Sequence, residues 1–153
     1  MKKIFLIFSM LMLFVSSVFA GEKEDVLATF DKFVDATNTY STTIPNYYVP
    51  NAKIIRVVNK KEGGQKSIVI PFDRYLKELR GNSVLAKAVK YKNRYENRKI
   101  TKTGDDYKIS AIRIPRNDKT GLPCHFIFTK QGPHWKIKEE SMTTNVQTFL
   151  NAK

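Results

Sequence analysis

The chain opens on an apolar block. Lys2 and Lys3 precede a run from Ile4 to Val15 broken only by Ser9, and Ser16, Ser17, Val18 and Ala20 follow before the charged stretch GEKED. A basic head, an apolar centre and a small-residue exit are the three parts of a secretory signal peptide. A bilayer-spanning helix needs about 20 predominantly apolar residues, and this run is shorter. Residues 1–20 are therefore expected to be a signal peptide cleaved between Ala20 and Gly21, which places residues 21–153 in the periplasm or the medium. That remainder is long enough for one domain with a real core and too short for two.

After the block the apolar positions change period. Val26, Leu27, Phe30, Phe33 and Val34 recur at three- and four-residue spacing, which predicts a helix over 22–38 with Glu22, Glu24 and Asp25 complementing its dipole. The Thr-, Asn- and Pro-rich segment 37–51 reads as a loop or broken short helix anchored by Tyr47, Tyr48 and Val49. Residues 52–58 and 65–70 are β-branched and flank NKKEGG, which predicts a hairpin. Phe72, Tyr75, Leu76 and Leu79 share a helical stripe, with Gly81 and Asn82 as its stop signal. From 88 to 100 the residues alternate, with Tyr91, Asn93, Tyr95 and Asn97 on one face and Lys90, Lys92, Arg94, Glu96 and Arg98 on the other. Strands over 107–115, 122–129 and 135–140 complete an antiparallel meander. The order gives an α+β domain, helices packed on one face of a curved, mostly antiparallel sheet.

This order resembles the cone-shaped superfamily of nuclear transport factor 2, ketosteroid isomerase and the polyketide cyclase-like proteins. The likeness covers about residues 22–145 and rests on the long first helix, the tyrosine-rich exit YYVPNAKII, the helix FDRYLKELRG and the closing strand GPHWKIKEE. It implies a cavity between sheet and helices, with Tyr48, Arg56, Tyr75, Tyr91, Asn93 and Tyr95 as candidate ligand contacts. It also argues against isomerase chemistry of that family. The place of the family's catalytic aspartate falls on Arg56, and a permanent cation cannot take a proton from carbon. Asp73, His125 and Glu139 are the candidate acid–base residues, to be joined by Tyr91 and Tyr95 if the fold brings them together. Asp73 begins a helix, where a carboxylate also serves as a cap.

Charge narrows the partners only in part. The chain carries 27 basic and 14 acidic residues, and loss of residues 1–20 removes two of the former and none of the latter, leaving a net charge of +11. Exported basic proteins meet envelope polyanions first, so an anionic envelope polymer joins a small molecule, an envelope protein and a second copy paired through the sheet as candidate partners. Phosphate-cradling glycine loops and nucleic-acid signatures are absent, and nucleic acid is not expected as a partner. Two histidines and one cysteine show no metal-ligand spacing, so no metal and no cofactor is expected. Cys124 cannot form an internal disulfide and lies in an apolar strand, where a buried thiol is expected. The leading expectation is an exported, non-catalytic domain that binds a small ligand or protein partner in a concave cavity, the alternatives being a cavity enzyme of hydrolase, isomerase or dehydratase type using an acid–base pair and a basic, envelope-associated polyanion-binding protein.

Overall fold

A computed structural model describes residues 21–116 and 119–151, and the expected signal segment 1–20 lies outside the described residues. Helix α1 occupies residues 21–38. It is followed by a 3-10 turn at Ile44–Tyr47, strands β1 (Tyr48–Asn59) and β2 (Gln65–Ile70), and helix α2 (Phe72–Ala88). Strands β3 (Asn93–Thr103), β4 (Asp106–Pro115), β5 (Leu122–Gln131) and β6 (His134–Thr144) then lead to a second 3-10 turn at Gln147–Asn151. The sheet runs β2-β1-β6-β5-β4-β3. Among the described residues β1 and β6 are the one parallel pair, because the hairpin and the meander meet there, and the other pairs are antiparallel.

The periodicity of α1 is realised as burial, with Val26, Phe30 and Phe33 almost wholly inaccessible against the sheet. The Phe30 ring lies 5.3 Å from Tyr95 and 5.1 Å from Phe126, and Phe33 lies 5.6 Å from Phe126. These tilted and edge-on contacts are the preferred arrangement of aromatic pairs. They fix α1 across β3 and β5.

Four element boundaries depart from the pattern reading, each for a local reason. Strand β1 starts at Tyr48 rather than 52, because Asn51 (φ 58°) forms a bulge that lets the strand pass through Pro50. Helix α2 runs through Gly81 and Asn82 to Ala88. It stops where Lys90 (φ 50°) turns left-handed and the amides of Tyr91 and Lys90 return to the carbonyls of Ala86 and Lys87, the paired 6→1 and 5→2 closure of a helix end. That closure delays β3 to Asn93. Within β3 a bulge between Glu96 and Lys99, with Asn97 at φ 53°, breaks the alternation, so Asn97 leaves the face of Asn93 and Tyr95 and is exposed.

The fourth departure matters most. Strand β6 continues past Glu140 to Thr144, and its pairing with β5 steps from Phe128–Ile137 to Ile127–Glu139, passing over Lys138. One unpaired residue in a ladder inverts the facing of everything beyond it. Trp135 and Ile137 are buried before the step, and Glu140 rather than Glu139 is buried after it.

Candidate functional site

The concave face of the sheet, α2 and the two 3-10 turns enclose a cavity of about 580 Å³. That volume falls within the range of small-molecule sites. Phe33, Ile44, Leu79, Leu122, Met142 and Phe149 supply apolar wall. Leu122 can stand at the wall because Gly121 has no side chain: a Cβ there would collide with Ile112.

Of the four charged groups on this wall, Arg56, Glu78, Arg113 and Glu140, two define its chemistry and sit in different surroundings. The first is Glu140, fully buried on β6. Its Oε1 lies 2.8 Å from Nη2 of Arg56, an ion pair in which no N–H points directly at the oxygen. Its Oε2 accepts hydrogen bonds from the hydroxyls of Tyr48 and Tyr75, the latter at 3.2 Å, and the two hydroxyls lie 3.0 Å apart. The Arg56 guanidinium also stands 5.6 Å above the Tyr75 ring and donates to the Ile55 carbonyl at 3.0 Å. A charge removed from water needs a partner and hydrogen bonds together, and here Glu140 has both.

These surroundings are felt by the partners. Burial and the neighbouring Glu140 charge push the Tyr48 and Tyr75 hydroxyls well above the ordinary phenol value. Burial followed by the Glu140 charge does the same to Tyr95. For Arg56, burial acts to lower the value, but the Glu140 carboxylate outweighs it and the guanidinium is held more firmly protonated. We expect the tyrosinate absorbance step near pH 10 to keep its full amplitude in Tyr48→Phe, Tyr75→Phe and Tyr95→Phe. A smaller step in any of the three would show that its hydroxyl is open to water.

The second group is Arg113 on β4, only 9% exposed. Its Nη1 donates to the Tyr91 hydroxyl at 3.3 Å and to Asn93 Oδ1 at 3.2 Å, and its Nη2 donates to the Thr143 carbonyl at 3.3 Å. The β5–β6 pairing ends at Cys124–Met142, which leaves the Thr143 carbonyl within reach past the end of β5. Asn93 is held in turn by Asn38 of α1, whose side chain accepts from its amide at 2.8 Å and donates to its carbonyl at 3.0 Å. Among the described residues no carboxylate pairs with Arg113, and its buried Nε has no hydrogen-bond partner. A buried donor left in this state costs about 1–3 kcal/mol.

Of the residues picked out from sequence, Arg56, Tyr75, Tyr91, Asn93 and Tyr95 line the cavity. Tyr48 stands behind the wall and reaches the Glu140 cluster through its hydroxyl. The acid–base candidates lie elsewhere. Asp73 is exposed in the first turn of α2, where Pro71 occupies the cap position and no side-chain cap bond forms. His125 and Glu139 do meet, at 3.0 Å, but on the opposite face of the sheet, with Lys53 at 3.6 Å from Glu139. Burial acts to raise the Glu139 carboxyl, and the His125 hydrogen bond and Lys53 more than offset it, so the group is held below the usual carboxylate value. No tyrosine of the cavity joins that pair.

Sequence reasoning passed over the two central charges. Arg113 left a signal: it shares its alternation with Tyr107, Ile109 and Ala111, all buried, so a cation stands where an apolar side chain is expected. Glu140 left none, because the step at Lys138 transfers the inward position to it from Glu139. Cys124 is buried beside this wall, and burial pushes its thiol up to about 12, which removes it as a nucleophile. Among the described residues no group of three or more His, Cys, Asp or Glu is placed to hold a metal ion, and no helix is long and apolar enough to cross a membrane.

No protein-family model matches the chain, and no curated protein matches it. Solved structures do. A protein from Novosphingobium aromaticivorans described as nuclear-transport-factor-2-like aligns with a TM-score of 0.64 at 9% identity, over 85% of this chain and 86% of that one. One of unknown function from Pseudomonas putida aligns at 0.62 and 9% identity, over 81% and 87%. A protein of the same fold from Streptomyces avermitilis, provisionally named a dehydratase, aligns at 0.60 and 11% identity, over 83% and 98%. The fold is the nuclear-transport-factor-2-like fold, as the first helix, tyrosine-rich exit and closing strand led one to expect.

Proposed function

We propose that this chain is an exported, non-enzymatic domain whose cavity takes up a small organic ligand. The observation that carries the reading is the state of Glu140. It is the buried carboxylate of the cavity, and Arg56, Tyr48 and Tyr75 hold both its oxygens. A general acid or base must exchange its proton with a substrate and present a free lone pair or proton to it. Glu140 has one oxygen in the ion pair with Arg56 and the other taken by two hydroxyls, and Asp73, His125 and Glu139 stand outside the cavity. The provisional dehydratase name of one structural neighbour points to catalysis as the competing reading; in this cavity the two carboxylates are each paired with an arginine, Glu140 with Arg56 and Glu78 with Arg74 at 2.9 Å.

Export rests on residues 1–20, whose basic head, apolar run and small-residue exit have the form of a cleaved signal. The ligand is then one met in the periplasm or outside the cell. The assay is fluorescence of the neutral, polarity-sensitive dye Nile red. The protein is expected to enhance it saturably with one dye per chain, since an apolar wall of this size shields such a body from water. Absence of saturable enhancement would contradict the reading.

A further inference from the structure

Resting on that reading, we propose that the ligand is an organic anion, with a carboxylate seated on Arg113 and an apolar body against Leu122, Met142 and Phe149. The cavity wall carries two guanidinium groups, and they differ in what they lack. Arg56 is neutralised by Glu140 at 2.8 Å. Arg113 is just as deep in the protein and has only neutral oxygens around it, from Tyr91, Asn93 and Thr143. Proteins rarely bury an arginine without a counter-charge, since no change of protonation can discharge it.

Its donors point the same way. A guanidinium has five N–H groups, and the three hydrogen bonds of Arg113 leave Nε–H and one further N–H on Nη2 unspent. A carboxylate with two oxygens matches two neighbouring N–H groups as a fork, the strongest form of this recognition. Tyr91 and Asn93 hold the guanidinium through Nη1, and Asn38 fixes Asn93 from α1. Arg113 Nε is closed to water in this structure, so the guanidinium must turn toward the cavity to present the fork to the anion.

The rest of the cavity selects what the anion is attached to. Leu122, next to Arg113 in the β4–β5 register, and Met142, paired with Cys124 on the neighbouring strand, are apolar. Glu140 lies on the same wall and disfavours a second negative charge near Arg56. One acidic group on an apolar body fits; a polyanion does not. This separates the cavity from the chain's basic exterior, which draws any anion weakly and loses that attraction as salt is added.

The test uses a matched pair, naphthaleneacetate and naphthaleneacetamide, competing with Nile red at high salt so that surface attraction is screened. The acid is expected to compete about tenfold or more better than the amide in the wild-type protein, as a charge-assisted bidentate contact provides. In Arg113→Gln that preference should vanish while Nile red still binds, and Arg113→Lys, which keeps the charge without the fork, should fall between. Thermal unfolding of each variant is measured alongside, and if Arg113→Gln does not fold, a preference reduced below that of the wild type must appear in Arg113→Lys. Equal competition by acid and amide in the wild type, an acid that does not compete at all, or a preference that survives in Arg113→Gln would each overturn the anion proposal while leaving the binding cavity standing. Failure of Nile red itself to bind would overturn both.

Discussion

Arg56→Met is expected to destabilise the protein by about 3–5 kcal/mol, because it strands the Glu140 carboxylate in the interior with two neutral hydroxyls for company. The wild-type pair is nearly sealed, with side-chain exposures of 11% for Arg56 and 0% for Glu140, so water cannot take the place of the guanidinium. Denaturant unfolding gives the loss directly. The double variant Arg56→Met with Glu140→Leu should regain most of it, since exchanging both members of a buried pair for apolar groups is often near neutral. Tyr48 and Tyr75 then lose their acceptor but keep each other at 3.0 Å. A loss below about 1 kcal/mol in the single variant would place the pair in the class of exposed ion pairs and contradict the burial described above.

Leu122→Trp is expected to abolish Nile red binding. Leu122 stands on the cavity wall at the start of β5, opposite Arg113 in the β4 register, and an indole there projects into the space a ligand would fill. The protein should remain folded, because the added bulk enters a void of about 580 Å³ rather than the packed layer of Phe30, Phe126 and Phe128. Unaltered dye affinity in a folded Leu122→Trp protein would show that the dye sits elsewhere, the exposed apolar residues Val84 and Leu85 of α2 being the obvious alternative.

The architecture was legible in the sequence because burial is periodic. Val26, Phe30 and Phe33 kept helical spacing, and Tyr107, Ile109 and Ala111 kept strand spacing, and both sets are buried as the periods require. What escaped was set by single residues with left-handed backbones or without partners. Gly81 read as a helix stop, yet glycine inside a helix costs only about 1 kcal/mol relative to alanine, and Lys90 ended the helix instead. Asn97 read as sharing the face of Asn93 and Tyr95, and a bulge turns it to solvent.

The site shows the same division. Tyr91, Asn93 and Tyr95 were found because polar and aromatic residues shared one face in the sequence, and Tyr91 lines the cavity even though β3 begins two residues after it. The exchange of Glu139 for Glu140 could not be found, since adjacent glutamates carry identical propensities and only the ladder step at Lys138 separates them. His125 alternates with the buried Cys124 and Phe126, which places it away from the cavity and against Glu139.

The central claim, that the cavity between sheet and α2 is a binding site, is tested most directly by methyl-resolved nuclear magnetic resonance during titration with Nile red. The account predicts shifts confined to methyl groups of the cavity wall, those of Ile70, Leu79, Leu122, Met142 and Val146, with Ile55 and Val57 on the far face of the sheet unmoved. Shifts confined to Ile55, Val57 or the exposed Val84 and Leu85, with the wall residues silent, would contradict it.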